Sequence, residues 1–244
     1  MSPVTVLAPA KLTVTLRITG VRADGYHLID AEMVTLDLAD TLTFGAGAGI
    51  TVTGPYAVGV PVDEHNLIHK ALAAVDRRAA VHVDKRIPAG GGLGGGSADA
   101  AAVLRWAGCT DVALAAWLGA DVPFCLAGTA RARVRGIGEI VDPLPPTAMT
   151  FTLVLPPFGV STPAVYRAWD ELGGPRDDGP NDLETAAVAV EPRLAGWRDR
   201  IADATGVTPV LAGSGSTWFV PGEHVHAADA LAPAAVLCAR TASA

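Results

Sequence analysis

The chain has 244 residues, half of them hydrophobic and only 18% charged, so it can fill a core and is not a disordered segment. A formal net charge of −7 argues against general binding to nucleic acid or anionic membrane; an anionic ligand would need a local device. Cys109, Cys125 and Cys238 are odd in number and widely spaced, which gives neither a disulfide framework nor a zinc site and points to buried free thiols.

From the N-terminus, VTVLAPAKLTVTLRITG alternates β-branched with small or polar residues, and Pro9 divides it into two strands joined by a bend. Lys11 stands where a signal peptide would be most apolar, and no run reaches membrane-spanning length, so a soluble, cytoplasmic protein is expected. RADGYH carries the Asp-Gly signature of a tight turn, and AEMVTLDLADTLTFGAG and GITVTGP follow as strands of an antiparallel sheet. DEHNLIHKALAAVDRRA reads as a helix opened by Asp63, with Asn66 an alternative cap. AVHVDKRIP is a strand, and a helix is expected from about Ser97 to Ala107.

VALAAWLG is a short helix leading into ADVPFCLAG, and TARARVRGIGEIVDPL reads as a hairpin followed by a PPTA linker. A boundary near residue 148 divides the chain into residues 1–148 and 149–244. The second part opens on the strand MTFTLVLPP and continues with helices at TPAVYRAWDEL, DLETAAVAV and PRLAGWRDRIADAT. PVLAGSGSTWFVP is a strand, a small-residue loop and a strand; HVHAADALA is a helix and AAVLCAR the last strand. Without regular βα alternation the class is α+β.

Between the strand ending near Pro88 and the helix after it lies AGGGLGGGSADAAA. A glycine-rich turn feeding a helix leaves N–H groups and the helix dipole aimed at one place, free of obstructing side chains, which suits phosphate. No Gly-Lys-Ser/Thr follows, so it is not a Walker A loop, and no βαβ unit with a ribose-binding acid surrounds it. Tight helix–strand packing or a flexible linker is the plainer alternative.

The stretch IPAGGGLGGGSADAAA resembles the phosphate loop of the GHMP kinases. APAKLTVTL, RADGYH, NLI, LGADVPFCLAG, GIGE, GVSTPAVY, ND and GSGST follow that superfamily's motifs in order over nearly the whole chain. PAK, DGYH and GADVPF resemble the branch that phosphorylates a cytidine-diphosphate-linked polyol of the non-mevalonate isoprenoid route. The resemblance implies a two-lobed fold, with a ribosomal protein S5 domain 2-like N-terminal lobe that binds ATP and an α/β-plait C-terminal lobe. It also implies ATP with Mg²⁺, no protein metal site, and a monomer or homodimer. Alternatives are a GHMP kinase for another small alcohol, or a ligand-binding homologue with weakened turnover.

By the same resemblance Lys11 and Asp121 are the catalytic pair, although the residues alone read rather as a solvated strand lysine and a helix cap. Asn66, Lys85, Pro88, Gly90, Gly91, Gly92, Leu93, Gly94, Gly95, Gly96 and Ser97 match the nucleotide site. Thr13, Tyr26, His27, Tyr166, Gly213, Ser214 and Gly215 match the acceptor site, with Tyr26 and Tyr166 stacking on cytosine and His27 reading its edge. Tyr166 also fits a buried helical stripe with Val165 and Trp169. The chain departs from the family at Thr13, where Asn is usual, at Ala98, where a second serine is usual, and in shortened segments around residues 108–118.

Overall fold

The computed structural model describes residues 3–242. Its first strand, β1 (Val4–Val21), is continuous rather than broken at Pro9; the bend is made by bulges between Pro9 and Lys11, Thr13 and Thr15, and Ile18 and Gly20. Among the described strands only β2 (His27–Gly45) pairs with β1, and at Pro9 the other edge of β1 is unpaired, so proline's missing N–H is tolerated. The Asp24–Gly25 turn joins the two strands, as expected.

Along its other edge β2 takes two partners in succession. Ile29–Val34 pairs with β5 (Arg131–Gly136), which forms the predicted hairpin with β6 (Ile140–Pro143), and Thr41–Gly45 pairs with β4 (Ala80–Asp84). β3 (Gly49–Thr53) runs parallel to β4, not antiparallel. The reason is the connection: α1 (Leu67–Ala74) lies between them and returns the chain to the end from which β3 started.

α2 (Gly95–Ala107) begins earlier than Ser97 because Gly94, at φ +69°, serves as its N-cap. Together with α1, α3 (Val112–Leu118) and α4 (Val122–Ala127) it covers one face of this sheet, with Leu42, Phe44, Val81 and Val83 packed against Ile68, Leu104 and Leu118. Ala98, Ala100, Ala101 and Ala102 are fully buried, so α2 lies close against its neighbours. A hydroxyl at position 98 would therefore meet core rather than cleft.

The coil after β6 leads to a second sheet of β7 (Thr150–Leu155), β8 (Val210–Leu211), β9 (Trp218–Pro221) and β10 (Ala235–Arg240), in the antiparallel order β10-β7-β9-β8. α5 (Thr162–Glu171), α6 (Glu184–Val190) and α7 (Arg193–Thr205) intervene between β7 and β8, which is the α/β-plait arrangement. The helix expected at HVHAADALA is only a 3₁₀ turn, Val225–Ala227. Ala227 and Leu231 are buried there, and Pro233 closes the segment before a helix can extend.

The sheets share a core in which Ala10, Leu12, Val34 and Leu36 meet Phe151, Leu153, Phe219 and Ala239. β1 is thereby fixed beside both, and a bridge from Leu16 to Asn181 ties it to the loop before α6. The thiols differ from expectation: Cys109 and Cys125 are half-buried, and Cys238 is exposed. Cys238 sits on edge strand β10 and points outward next to inward-facing Ala239. No helix among the described residues is long and apolar enough to cross a membrane.

Candidate active site

The glycine loop is shaped first by what packs on it. A Cβ on Gly94 would lie 2.8 Å from Lys11 Cγ, and one on Gly92 would lie 2.6 Å from the Ala212 carbonyl oxygen. Both residues have positive φ, so a side chain at either would be strained as well as obstructed. The loop is therefore wedged between Lys11 and the Gly213–Thr217 loop, which excludes a flexible linker. α2 has no side-chain cap, so no side chain claims its first-turn N–H groups. These groups and the dipole of a 13-residue helix suit an anion.

Two clefts meet at this loop, and Gly92 lines both. The first, about 280 Å³, is walled by Asn66, Lys85, Pro88, Gly90, Gly91, Gly92, Leu93, Gly94, Gly95, Gly96 and Asp99. Of the residues matched to the nucleotide, Ser97 alone is missing; its Oγ faces the position of Gly119, 3.9 Å from a Cβ built there. Asn66 is the N-cap of α1, accepting from Ile68 N and donating to the Pro61 carbonyl, while Asp63 caps only the preceding turn. The amide of Asn66 is thus engaged with backbone although the residue lines the cleft.

Lys85 is not a free cation. Its Nζ donates to Asp40 Oδ2 at 2.5 Å and to Asp99 Oδ2 at 2.8 Å, and all three side chains are buried. Asp40 is further satisfied by the N–H groups of Arg86 and Ile87, whereas Asp99 Oδ1 has no hydrogen-bond partner. Burial, opposed by Lys85 and reinforced by Asp40, pushes the Asp99 carboxyl up to about 7. Burial disfavours the charged form of Lys85, but the two carboxylates outweigh it and hold its pKa above the usual lysine value. The triad anchors the loop from below and contributes no net positive charge to the cleft.

The second cleft, about 820 Å³, contains Lys11, Thr13, Asp121, Tyr26, His27, Tyr166, Gly213 and Ser214. The bulge at Pro9 re-aims the Lys11 N–H toward the loop, where it donates to the Leu93 carbonyl at 3.0 Å. Lys11 is 5% exposed, not a solvated strand lysine. Its Nζ lies 3.2 Å from Asp121 Oδ2 and donates to Thr13 Oγ1 at 3.0 Å. Asp121 does occupy the N-cap position of α4, but its side chain makes no capping bond.

At the far end Tyr26 is 60% exposed, and the His27 ring lies 4.8 Å from that of Tyr166. Tyr166 is half-buried: it lines the cleft and also packs against the core that holds Val165 and Trp169. Burial raises the pKa of its phenol, and the Asp121 carboxylate adds to the shift, so the hydroxyl stays neutral. Burial followed by the same carboxylate pushes the Cys125 thiol up to about 12, leaving it protonated.

Gly215 does not wall the cleft; its carbonyl oxygen instead packs 3.1 Å from a Cβ position on Gly92. Sequence reasoning missed Arg22, Trp117, Arg167 and Asp170, which also line it. Arg22 lies within RADGYH, and Trp117 and Arg167 directly adjoin LGADVPFCLAG and GVSTPAVY; Asp170 alone carries no local signal. Thr217, at the end of GSGST, was missed in another way: its Oγ1 is buried without a partner and faces the loop at Gly91.

The family described as GHMP kinases N terminal domain matches residues 66–129. A 4-diphosphocytidyl-2-C-methyl-D-erythritol kinase of Paracoccus denitrificans is 40% identical, covering 92% of this chain and 88% of that protein. One of Dinoroseobacter shibae is 42% identical over 89% of this chain and 85% of its own length. A crystal structure of 4-(cytidine 5'-diphospho)-2C-methyl-D-erythritol kinase superposes with a TM-score of 0.75 at 32% identity, covering 99% of this chain and 100% of that one. A Methanococcus jannaschii mevalonate kinase shares the fold alone, at 12% identity and a TM-score of 0.57 over 99% of each chain. The chain belongs to the 4-diphosphocytidyl-2-C-methyl-D-erythritol kinase family of the GHMP kinases.

Proposed function

We propose that this small-molecule kinase transfers the γ-phosphoryl group of ATP to the 2-hydroxyl of 4-diphosphocytidyl-2-C-methyl-D-erythritol, with Lys11 and Asp121 as the catalytic pair. The observation that carries the reading is the junction at Gly92, where a glycine-lined cleft opens onto a second cleft containing the Lys11–Asp121 pair. Residues 1–148 would form the ATP lobe and 149–244 the closing lobe, acting in the cytoplasm as a monomer or homodimer.

Phosphoryl transfer through a loose transition state depends on placement and charge more than on covalent help. The loop's N–H groups hold the terminal phosphates. A lysine ammonium has three donors, and Thr13 and Asp121 engage two. The third can reach a phosphoryl oxygen or the acceptor hydroxyl as negative charge develops. Asp121 orients that hydroxyl and takes its proton as the new P–O bond forms. Tyr26 and Tyr166 stack on cytosine, and His27 reads its edge. Arg167 lines the same cleft and makes no ion pair among the described residues, which suits the substrate's diphosphate.

Mg²⁺ fits a site of phosphate oxygens and water. Asp99 is the sole carboxylate walling the first cleft among the described residues, and one of its oxygens is committed to Lys85. Magnesium binds readily with few protein ligands. When bound with the nucleotide it neutralises β- and γ-phosphate charge.

The test is ATP-dependent phosphorylation followed by ³¹P NMR, with the cytidylated methylerythritol and its uridine analogue as acceptors. Rapid transfer to the first and slow transfer to the second is expected. Equal use of both would remove the base-reading role, and use of neither would overturn the assignment.

A further inference from the structure

α5 grips His27 from the opposite side of the cleft. Tyr166, Trp169 and Asp170 stand at i, i+3 and i+4 on one face of that helix. Tyr166 lies against the imidazole at 4.8 Å with the planes tilted by 42°, and Trp169 meets it edge-on at 5.5 Å. Asp170 Oδ1 lies 2.8 Å from His27 Nε2. The two aromatic contacts fix the ring plane, and the carboxylate addresses one ring nitrogen. The imidazole itself is only 9% exposed, while Asp170 reaches it from a half-exposed position.

We infer that Asp170 is a positioning residue that sets base specificity by holding His27 in the Nε2–H tautomer, leaving Nδ1 as a hydrogen-bond acceptor toward the base. This rests on the reading of His27 as the residue facing cytosine. A carboxylate at neutral pH can only accept, so the proton of this short contact belongs to Nε2. In the neutral ring Nδ1 is then unprotonated. Cytosine presents a donor amino group at position 4, where uracil presents a carbonyl acceptor. An acceptor nitrogen pairs with the first and opposes the second, so the discrimination is set by a cleft-wall carboxylate acting through His27. Without Asp170 the ring can exchange tautomers and accommodate either base.

The test compares CMP and UMP as competitive inhibitors, together with KM for the cytidylated and uridylated acceptors, in the parent, Asp170→Ala, Asp170→Asn and His27→Ala proteins. Long-range ¹H–¹⁵N spectra of the imidazoles report the tautomer, and thermal melts check folding. In Asp170→Ala the CMP-over-UMP preference should fall by about tenfold, the worth of one buried hydrogen bond. kcat for the cytidylated acceptor should change much less, and His27 should show mixed tautomers. Asp170→Asn keeps an acceptor oxygen and should restore most of the preference. A merely structural contact would lower the melting temperature without moving the preference. If His27→Ala loses the preference and Asp170→Ala keeps it, this inference is overturned and base reading by His27 stands. An Nδ1–H tautomer in the parent overturns it as well. If His27→Ala keeps the preference, base reading by His27 falls and this inference falls with it.

Discussion

Lys11 Nζ and Asp121 Oδ2 stand 3.2 Å apart, one from a strand bulge and the other from the N-cap position of a short helix. Neither position is explained by local structure: the lysine is buried on an edge strand, and the aspartate leaves its helix uncapped. Each is placed for the other and for the loop at Gly92–Gly94. Asp121→Asn keeps shape and removes the proton acceptor, so turnover should fall by about 100- to 10,000-fold. ATP affinity measured by calorimetry should stay near that of the parent. Near-parental turnover would remove Asp121 from the chemistry.

Gly94→Ala places a methyl 2.8 Å from Lys11 Cγ and 3.1 Å from its Cε, at a residue with φ +69°. Backbone strain and displacement of Lys11 should together destabilise the protein by about 1–3 kcal/mol. Denaturant melts read that loss, and kcat should drop further than unfolding accounts for. A variant with parental stability and rate would show that the loop has room.

The buried triad makes a pH-dependent contribution with a definite sign. Folded Asp99 holds its proton up to about pH 7, whereas the unfolded side chain releases it near 3.8. The folded state binds more protons across that window, so this contribution is full below about pH 4 and is lost as pH rises through 7. Asp99→Asn stays neutral throughout and still offers an oxygen to Lys85. Urea melts across pH 4 to 8 should show the variant without that decline. An identical decline in both proteins would place the proton elsewhere.

Tyr166→Ala removes the aromatic face that lies 4.8 Å from His27. Base stacking is worth about 1–3 kcal/mol, so KM for the cytidylated acceptor should rise by about 5- to 150-fold. KM for ATP should hardly move, because Tyr166 is absent from the first cleft. Equal changes in both constants would indicate a collapsed helix α5 instead of a lost stacking contact.

Much of this was legible in the residues, and the failures share a cause. Strong local patterns located β2, the β5–β6 hairpin and helices α5 to α7. The glycine run suggested an anion site, and its tight contacts with Lys11 and Ala212, which shape the loop, come from distant chain segments. For the same reason Lys85 reads as a cation beside a phosphate loop, while the fold places Asp40 and Asp99 on either side of it. Asp170 looks like one more polar residue on an amphipathic helix until the fold brings His27 within 2.8 Å. Pro9 reads as a break because pattern alone does not reveal that the second edge of β1 is unpaired at that residue.

The most direct test is a crystal structure with a non-hydrolysable ATP analogue and the cytidylated methylerythritol bound together. The γ-phosphorus should rest on the loop at Gly92, with the acceptor's 2-hydroxyl between it and the Asp121 carboxylate and Lys11 touching both. A terminal phosphate lying away from Gly92, or an acceptor hydroxyl out of reach of Lys11 and Asp121, would contradict the account.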